Sequence, residues 1–273
     1  MSTQSTSTRR ISIHDIMAMK GQTPIVSLTA YSAPIARILD AHIDLFIVGD
    51  SLGMVCYGMD TTLPVTLDMM IRHGKTVVDN SSRALVVVDM PFGSYQSSPQ
   101  QAFDNAAQLI AQSGAQAIKL EGGMEMVETV SFLTSRAIPV MAHIGLKPQH
   151  VNSMGGYKYQ GRDSAAQTHL MAEAKAFEGA GAFAILIEGT QEALSADITR
   201  ALRIPTIGIG ASPDCDGQVL VTDDMIGLMP TTPRFVQRFG AIGDAIDKAA
   251  ADYAAATRAR SFPTLDHCFG VKK

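Results

Sequence analysis

Short runs of consecutive apolar residues, rich in Val, Ile and Leu, recur along the chain between longer stretches whose apolar positions fall three or four apart. The first pattern is that of strands buried on both faces and the second that of amphipathic helices. Their alternation from end to end is the signature of βα units around a parallel sheet. The runs predict strands over residues 25–29, 45–49, 85–88, 117–120, 139–142, 183–187, 204–208 and 219–221. Eight strands with their helices take roughly 250 residues in a (β/α)8 barrel. The 273-residue chain is nearly exhausted by one such unit. The expected architecture is α/β, a (β/α)8 TIM barrel as a single domain over residues 21–273 with an additional C-terminal helix; a doubly wound open sheet is the alternative.

Helix boundaries are written locally. In Ser98-Pro99-Gln100-Gln101 a Ser suited to capping precedes Pro at the first helical position, with Gln three residues on, and the helix it opens runs toward Gly114. Ser164-Ala165-Ala166-Gln167 repeats the pattern before an Ala-rich stretch that ends near Gly179 and Gly181. Thr232-Pro233 predicts a further helix continuing through Ile242, Ile246 and Tyr253, past the eighth βα unit, of the kind that docks on a neighbouring subunit. Residues 144–163 are polar and glycine-punctuated, without helical periodicity, and are expected to form a binding loop or lid. Residues 1–20 are a lead-in, disordered or helical. Its Ser- and Thr-rich start lacks the apolar stretch of a secretory signal.

Composition narrows the function classes. With 46% hydrophobic residues and a net charge of only −4, the chain has enough apolar surface to offset its conformational entropy. No run approaches the ~18 apolar residues of a membrane span. Arg9-Arg10 and Lys272-Lys273 are the only basic clusters, which argues against a nucleic acid and for a small-molecule partner. Cys56, Cys215 and Cys268 are widely spaced, fitting neither a disulfide framework nor a structural zinc site, and a reducing compartment is expected.

In a parallel barrel the active-site groups come from the C-terminal ends of the strands. Five successive apolar runs end in ionisable residues: Asp50, Asp89, the pair Lys119 and Glu121, His143, and Glu188. A single carboxylate in such a place is commonly a helix cap; five in order call for chemistry. Asp50, Asp89 and Glu121 are hard oxygen ligands without accompanying thiolates, a set suited to Mg²⁺ or Mn²⁺. A divalent ion there would stabilise the charge of an enolate formed from a 2-oxo acid. Lys119 and Glu121, two apart on a strand, face the same way. Lys119 is expected to meet the substrate carboxylate, because neighbouring carboxylates keep its amine protonated and unsuited to Schiff-base chemistry. Glu188 is the candidate general base, and His143 a hydrogen-bond donor to substrate. Gly208-Ile209-Gly210-Ala211-Ser212-Pro213 has Pro where a dinucleotide fingerprint needs its third Gly, and is set aside.

Val48-Gly49-Asp50-Ser51-Leu52-Gly53-Met54, Thr62-Leu63-Pro64-Val65-Thr66, Asp89-Met90-Pro91-Phe92, Lys119-Leu120-Glu121-Gly122-Gly123, His143-Ile144-Gly145-Leu146 and Gly155-Gly156-Tyr157 occur in that order. Together they resemble the ketopantoate hydroxymethyltransferase family, one of the phosphoenolpyruvate mutase and isocitrate lyase group of barrels. The likeness runs from about Ile25 to the final helix and takes in Gly208-Ile209-Gly210-Ala211 and Asp216-Gly217-Gln218. It implies hydroxymethyl transfer from 5,10-methylenetetrahydrofolate to 3-methyl-2-oxobutanoate, giving 2-dehydropantoate on the way to pantothenate. It also implies one Mg²⁺ on Asp50, Asp89 and Glu121, with other divalent ions possible. Oxo-acid contacts fall to Asp50, Ser51, Asp89, Lys119 and His143, and Glu188 is the proton acceptor. The family is cytoplasmic and homodecameric. Ser32 stands where the family pattern has Asp, and Gly189-Thr190-Gln191 where it has Cys-Val-Pro. Two other readings compete: a metal-dependent oxo-acid lyase of the same barrel group, and a non-catalytic oxo-acid sensor. The Lys-Lys-Cys-Gly-His type of loop carried by such lyases is absent, and a sensor has no need of Glu188.

Overall fold

A computed structural model describes residues 9–270. The first eight residues of the lead-in lie outside the described residues. The chain divides into two compact units, one ending at Val221 and one running from Thr222, within the span 21–273 expected to be one barrel domain.

The first unit is a closed barrel of eight parallel strands in sequential order. They are β1 (Ile25–Thr29), β2 (Leu45–Val48), β3 (Leu85–Asp89), β4 (Ala117–Glu121), β5 (Val140–Gly145), β6 (Ala184–Glu188), β7 (Thr206–Ile209) and β8 (Gly217–Leu220). Every expected strand is present and the open sheet is not. β5 runs to Gly145, three residues past the expected end, because His143 and Ile144 keep their ladder positions opposite Leu186 and Ile187. β7 begins later than expected, after Pro205, which has no N–H to give to a ladder.

Strand alternation separates two cores. Ile25, Leu45, Ile47, Leu85, Val87, Ala117, Met141, Ala184, Leu186, Ile207 and Val219 form one apolar cluster, joined at its base by Ile16 of the short helix Ile13–Ala18. The intervening strand positions, among them Phe46, Val48, Val86, Val88, Ile118, Leu120, Ala142 and Ile185, pack into the larger cluster that includes residues from the helices. Counting by two from the first set leads through Val87 to Asp89, through Ala117 to Lys119 and Glu121, through Met141 to His143 and through Leu186 to Glu188. The interior column of β3, β4, β5 and β6 is thus apolar below and ionisable at its C-terminal end.

Local chemistry explains the helix ends. Ser98 accepts a hydrogen bond from the Gln101 N–H at 3.1 Å, and the helix Pro99–Ser113 stops at Gly114 with φ 78°. The other expected capping box is displaced by one residue: Asp163 is the cap, accepting from the Ala166 N–H at 2.9 Å, and Ser164 is already helical. Residues 144–163 are less irregular than expected. Pro148 opens a 3₁₀ turn (Pro148–His150) that leads into a one-turn helix (Val151–Met154), ended by Gly155 at φ 66°. The far end of this connection is tied down, Gln160 N–H donating to the Gly189 carbonyl at 2.8 Å.

In the second unit Thr232-Pro233 does not open a helix; the helix is Ile242–Arg258. The Phe239, Ile242 and Gly243 N–H groups are given to the carbonyls of Met225, Ile226 and Gly227, and this pairing replaces the earlier helical turns. Ile242, Ile246 and Tyr253 on that helix are exposed. Among the described residues no helix is long and apolar enough to cross a membrane.

Candidate active site

Asp89 and Lys119 are register partners on β3 and β4, and the Lys119 Nζ lies 3.1 Å from Asp89 Oδ2 inside the barrel mouth. Both side chains are buried. The same Oδ2 accepts the Asp50 N–H at 3.1 Å, joining the loop after β2 to β3. Gly49 makes this approach possible: a Cβ there would lie 2.7 Å from Ser51 Oγ and 3.5 Å from Asp89 Oδ2. Ser51 Oγ is 2.8 Å from the Tyr31 hydroxyl at the rim of the same mouth.

Glu121 and His143 are likewise register partners, on β4 and β5. Lys119 Nζ is 3.2 Å from His143 Nδ1. An ammonium can only donate, so Nδ1 accepts and the ring proton resides on Nε2. That Nε2 lies 3.3 Å from Glu188 Oε2. Burial, reinforced by the Lys119 charge, holds His143 well below the usual imidazole range, so it is neutral.

The electrostatics follow from packing several carboxylates around one ammonium. Burial pushes Asp89 up to about 6 against the pull of Lys119. Burial also raises Asp50, and burial together with Asp50 raises Glu121 strongly. For Lys119 burial acts downward, but Asp89, Glu121 and Asp50 outweigh it and keep the amine protonated. This excludes the free amine that a Schiff base needs. Glu188 is pushed up to about 7 by burial, offset in part by Lys119. Its backbone is held firmly, the Glu188 carbonyl accepting from the Leu146 N–H at 2.8 Å and the Thr190 hydroxyl at 2.9 Å. Thr190 belongs to the tripeptide that departs from the family pattern, and its hydroxyl bonds to the Glu188 backbone. The other departure, Ser32, caps the helix Ala33–Leu39 by position, with no side-chain cap hydrogen bond.

Two polar atoms at the centre are buried without a hydrogen-bond partner among the described residues: Asp89 Oδ1 and His143 Nε2. Orphans of this kind mark places where a ligand atom belongs. The donor set is all oxygen, from Asp50, Asp89 and Glu121, and suits a hard divalent cation. Among the described residues no three His, Cys, Asp or Glu side chains by themselves form a group able to hold a metal ion. Mg²⁺ is commonly held by one or two carboxylates completed by water and substrate oxygens, so the donor chemistry and the orphaned Asp89 Oδ1 fit it.

Sequence reasoning placed Asp50, Asp89, Lys119, Glu121, His143 and Glu188 at strand ends, the family resemblance added Ser51, and the barrel gathers them at one mouth. It missed Gln149 and Tyr95. The Gln149 amide donates to Asp50 Oδ2 at 2.8 Å, and its backbone N–H donates to Glu121 Oε2 at 3.0 Å. The buried Tyr95 hydroxyl donates to Gln149 Oε1 at 2.6 Å. Neither lies at a strand end, and a glutamine in a polar loop carries no signal of burial.

A family profile described as Ketopantoate hydroxymethyltransferase matches residues 10–265. The 3-methyl-2-oxobutanoate hydroxymethyltransferase of Rhodospirillum rubrum is 57% identical over 268 residues, 97% of this chain and 96% of that protein. The protein of the same name from Sinorhizobium fredii is 56% identical over 274 residues, 100% of both. Among solved structures, phosphonopyruvate hydrolase in complex with oxalate and Mg++ superimposes with a TM-score of 0.60 at 14% identity, covering 93% of this chain and 92% of that one. A likeness at that identity is one of fold. The match over nearly the whole length, with the strand-end residues gathered as described, shows that this chain is an enzyme of the ketopantoate hydroxymethyltransferase family.

Proposed function

We propose that the protein transfers a hydroxymethyl group from 5,10-methylenetetrahydrofolate to 3-methyl-2-oxobutanoate, giving 2-dehydropantoate for pantothenate biosynthesis. The observation that carries this reading is the row Asp89, Lys119, His143, Glu188, which runs from a buried ion pair to a carboxylate pushed up to about 7. Such a row suits removal of a proton next to a carbonyl beside a bound acid group.

Asp50, Asp89 and Glu121 are the residues that hold Mg²⁺, or Mn²⁺, in this reading. When bound, the ion supplies Lewis-acid stabilisation of the negative charge that develops on the keto oxygen. The oxo acid is bound by Asp50, Ser51, Asp89, Lys119 and His143. The Lys119 ammonium faces the carboxylate, and the Nε2–H of neutral His143 donates to a substrate oxygen. Glu188 takes the C3 proton onto its carboxylate. Water hydrolyses the two C–N bonds of the methylene bridge, releasing tetrahydrofolate and the one-carbon unit as formaldehyde; the enolate carbon adds to that carbonyl, and its oxygen takes a proton to become the hydroxyl. The connection from Gly145 to Asp163 screens the mouth from bulk water during the proton transfer.

The homodecamer and cytoplasmic location belong to the same proposal. Ile242, Ile246 and Tyr253, exposed on one helix of the second unit, offer an apolar face to another copy.

Proton NMR of 3-methyl-2-oxobutanoate in D₂O tests the chemistry. Loss of the C3 proton signal that requires both protein and Mg²⁺, with net 2-dehydropantoate formation when methylenetetrahydrofolate is added, is the expected result. No exchange from folded, Mg²⁺-supplemented protein would overturn it.

A further inference from the structure

We propose that Gln149 is a positioning residue that aims the Asp50 and Glu121 carboxylates at the cation, and that Tyr95 fixes Gln149 for this task. The inference rests on the metal-assisted reading above and names the device by which this chain prepares the site.

The amide orientation of Gln149 is settled by its neighbours. Nε2 is 2.8 Å from Asp50 Oδ2 and 2.9 Å from the Met90 carbonyl, both acceptors only. Oε1 is 2.6 Å from the Tyr95 hydroxyl and 3.2 Å from Gln96 Nε2, both able to donate. A flipped amide would set oxygen against oxygen on the carboxylate side. Tyr95 is fully buried, and its own hydroxyl accepts the Glu121 N–H at 3.2 Å. Its single proton faces two acceptors, Gln149 Oε1 at 2.6 Å and the Glu121 carbonyl at 3.1 Å, of which Oε1 is the nearer.

One residue thus reaches three strands. Its side chain holds the Asp50 carboxylate after β2 and the Met90 carbonyl after β3, and its backbone N–H holds the Glu121 carboxylate at the end of β4. Only Oδ2 of Asp50 and Oε2 of Glu121 are engaged in these bonds, leaving Oδ1 and Oε1 for other partners. Asp50 and Glu121 repel one another while the Lys119 charge draws both, and Gln149 gives a hydrogen bond to each of the two carboxylates. Gln149 also sits in the 3₁₀ turn Pro148–His150, at the root of the connection over the mouth. Order in the site and order in that connection are mechanically linked through this side chain. Partners that orient metal ligands without touching the metal characteristically change affinity when removed.

The experiment is Mn²⁺ binding by electron paramagnetic resonance on the full chain, with Mg²⁺-dependent C3 exchange measured in parallel, for wild type, Gln149→Leu and Tyr95→Phe. Gln149→Leu is expected to weaken Mn²⁺ binding by about 10- to 100-fold and Tyr95→Phe by a smaller but measurable factor. The Mg²⁺ concentration for half-maximal exchange should rise in step, while the rate at saturating Mg²⁺ stays within a few-fold of wild type. A merely structural loss would lower the rate at every metal concentration. Wild-type Mn²⁺ affinity in a folded Gln149→Leu protein, or in Tyr95→Phe if the first variant does not fold, overturns this inference alone. A wild-type protein that binds no Mn²⁺ overturns the metal reading and this inference with it.

Discussion

Nε2 of His143 lies 3.3 Å from Oε2 of Glu188, and the imidazole is neutral with its proton on that nitrogen. A neutral ring leaves Glu188 free to gain a proton, where an imidazolium would hold it ionised and weaken it as a base. Replacing Glu188 with Gln keeps the shape and removes the proposed base. C3 exchange should fall by about 10²- to 10⁴-fold, while calorimetric affinity for 3-methyl-2-oxobutanoate changes only a few-fold. Exchange at the wild-type rate in that variant would remove Glu188 from the role.

The pH dependence has a definite sign. Glu188 acts as a base only when ionised, and burial pushes it up to about 7. C3 exchange should therefore rise with pH through about 7 and then level off. Stability moves the other way. The unfolded carboxyl titrates near 4.5 and the folded one near 7, so the folded state binds the proton more tightly between these values. Relative to Glu188→Gln, metal-free wild type should lose about 3 kcal/mol as pH rises from 4.5 to 7, with no further change above. Denaturant melts of the two proteins at pH 4.5 and 8 check this; a constant difference would contradict the burial argument.

Lys119 is the charge that the surrounding carboxylates share. Substituting Met keeps the stem volume and leaves Asp89, Asp50 and Glu121 without their common cation. Breaking a buried pair in this way costs about 3–5 kcal/mol. The metal-free variant should melt well below wild type at neutral pH, and Mg²⁺ should recover more of the lost stability than it adds to wild type. Oxo-acid affinity should stay depressed even at saturating Mg²⁺, because the partner of the substrate carboxylate is gone. Thermal melts with and without Mg²⁺ and calorimetry with the oxo acid separate the two effects.

Much of this site was legible because a parallel barrel has a simple grammar. Apolar runs bounded by helices locate the strands, and the residue two beyond an interior apolar position must also face inward, as Val87 and Asp89 or Met141 and His143 illustrate. Asp50 follows its strand outside that alternation and was found only because it ends the run. Gln149 escaped because its burial depends on a turn set by Pro148 within a segment that reads as an irregular loop. The helix expected from Thr232-Pro233 failed for a related reason: the donors of Phe239, Ile242 and Gly243 are claimed by Met225, Ile226 and Gly227. Local signals cannot reveal that competition.

Gly145 offers the sharpest test of how closely the base is held. It ends β5 opposite Glu188 with φ 88°, in the left-handed region that disfavours side chains, and a Cβ there would lie 2.3 Å from the Glu188 carbonyl oxygen and 2.3 Å from Thr190 Oγ1. Neither obstacle is a flexible side-chain end, since the carbonyl is backbone and the hydroxyl is bonded to that same carbonyl. Gly145→Ala must therefore push β6 away from β5 at the position that carries the base. The displacement moves Glu188 relative to a substrate held by Lys119 and His143, and misplacing a reacting group by about 1 Å costs about 10²-fold in rate. C3 exchange should fall by that order at saturating oxo acid, while Mn²⁺ affinity, set by Asp50, Asp89 and Glu121 on the opposite side of His143, changes little. Equal losses in both would show that the strain spreads through the whole mouth and that the base is not held separately.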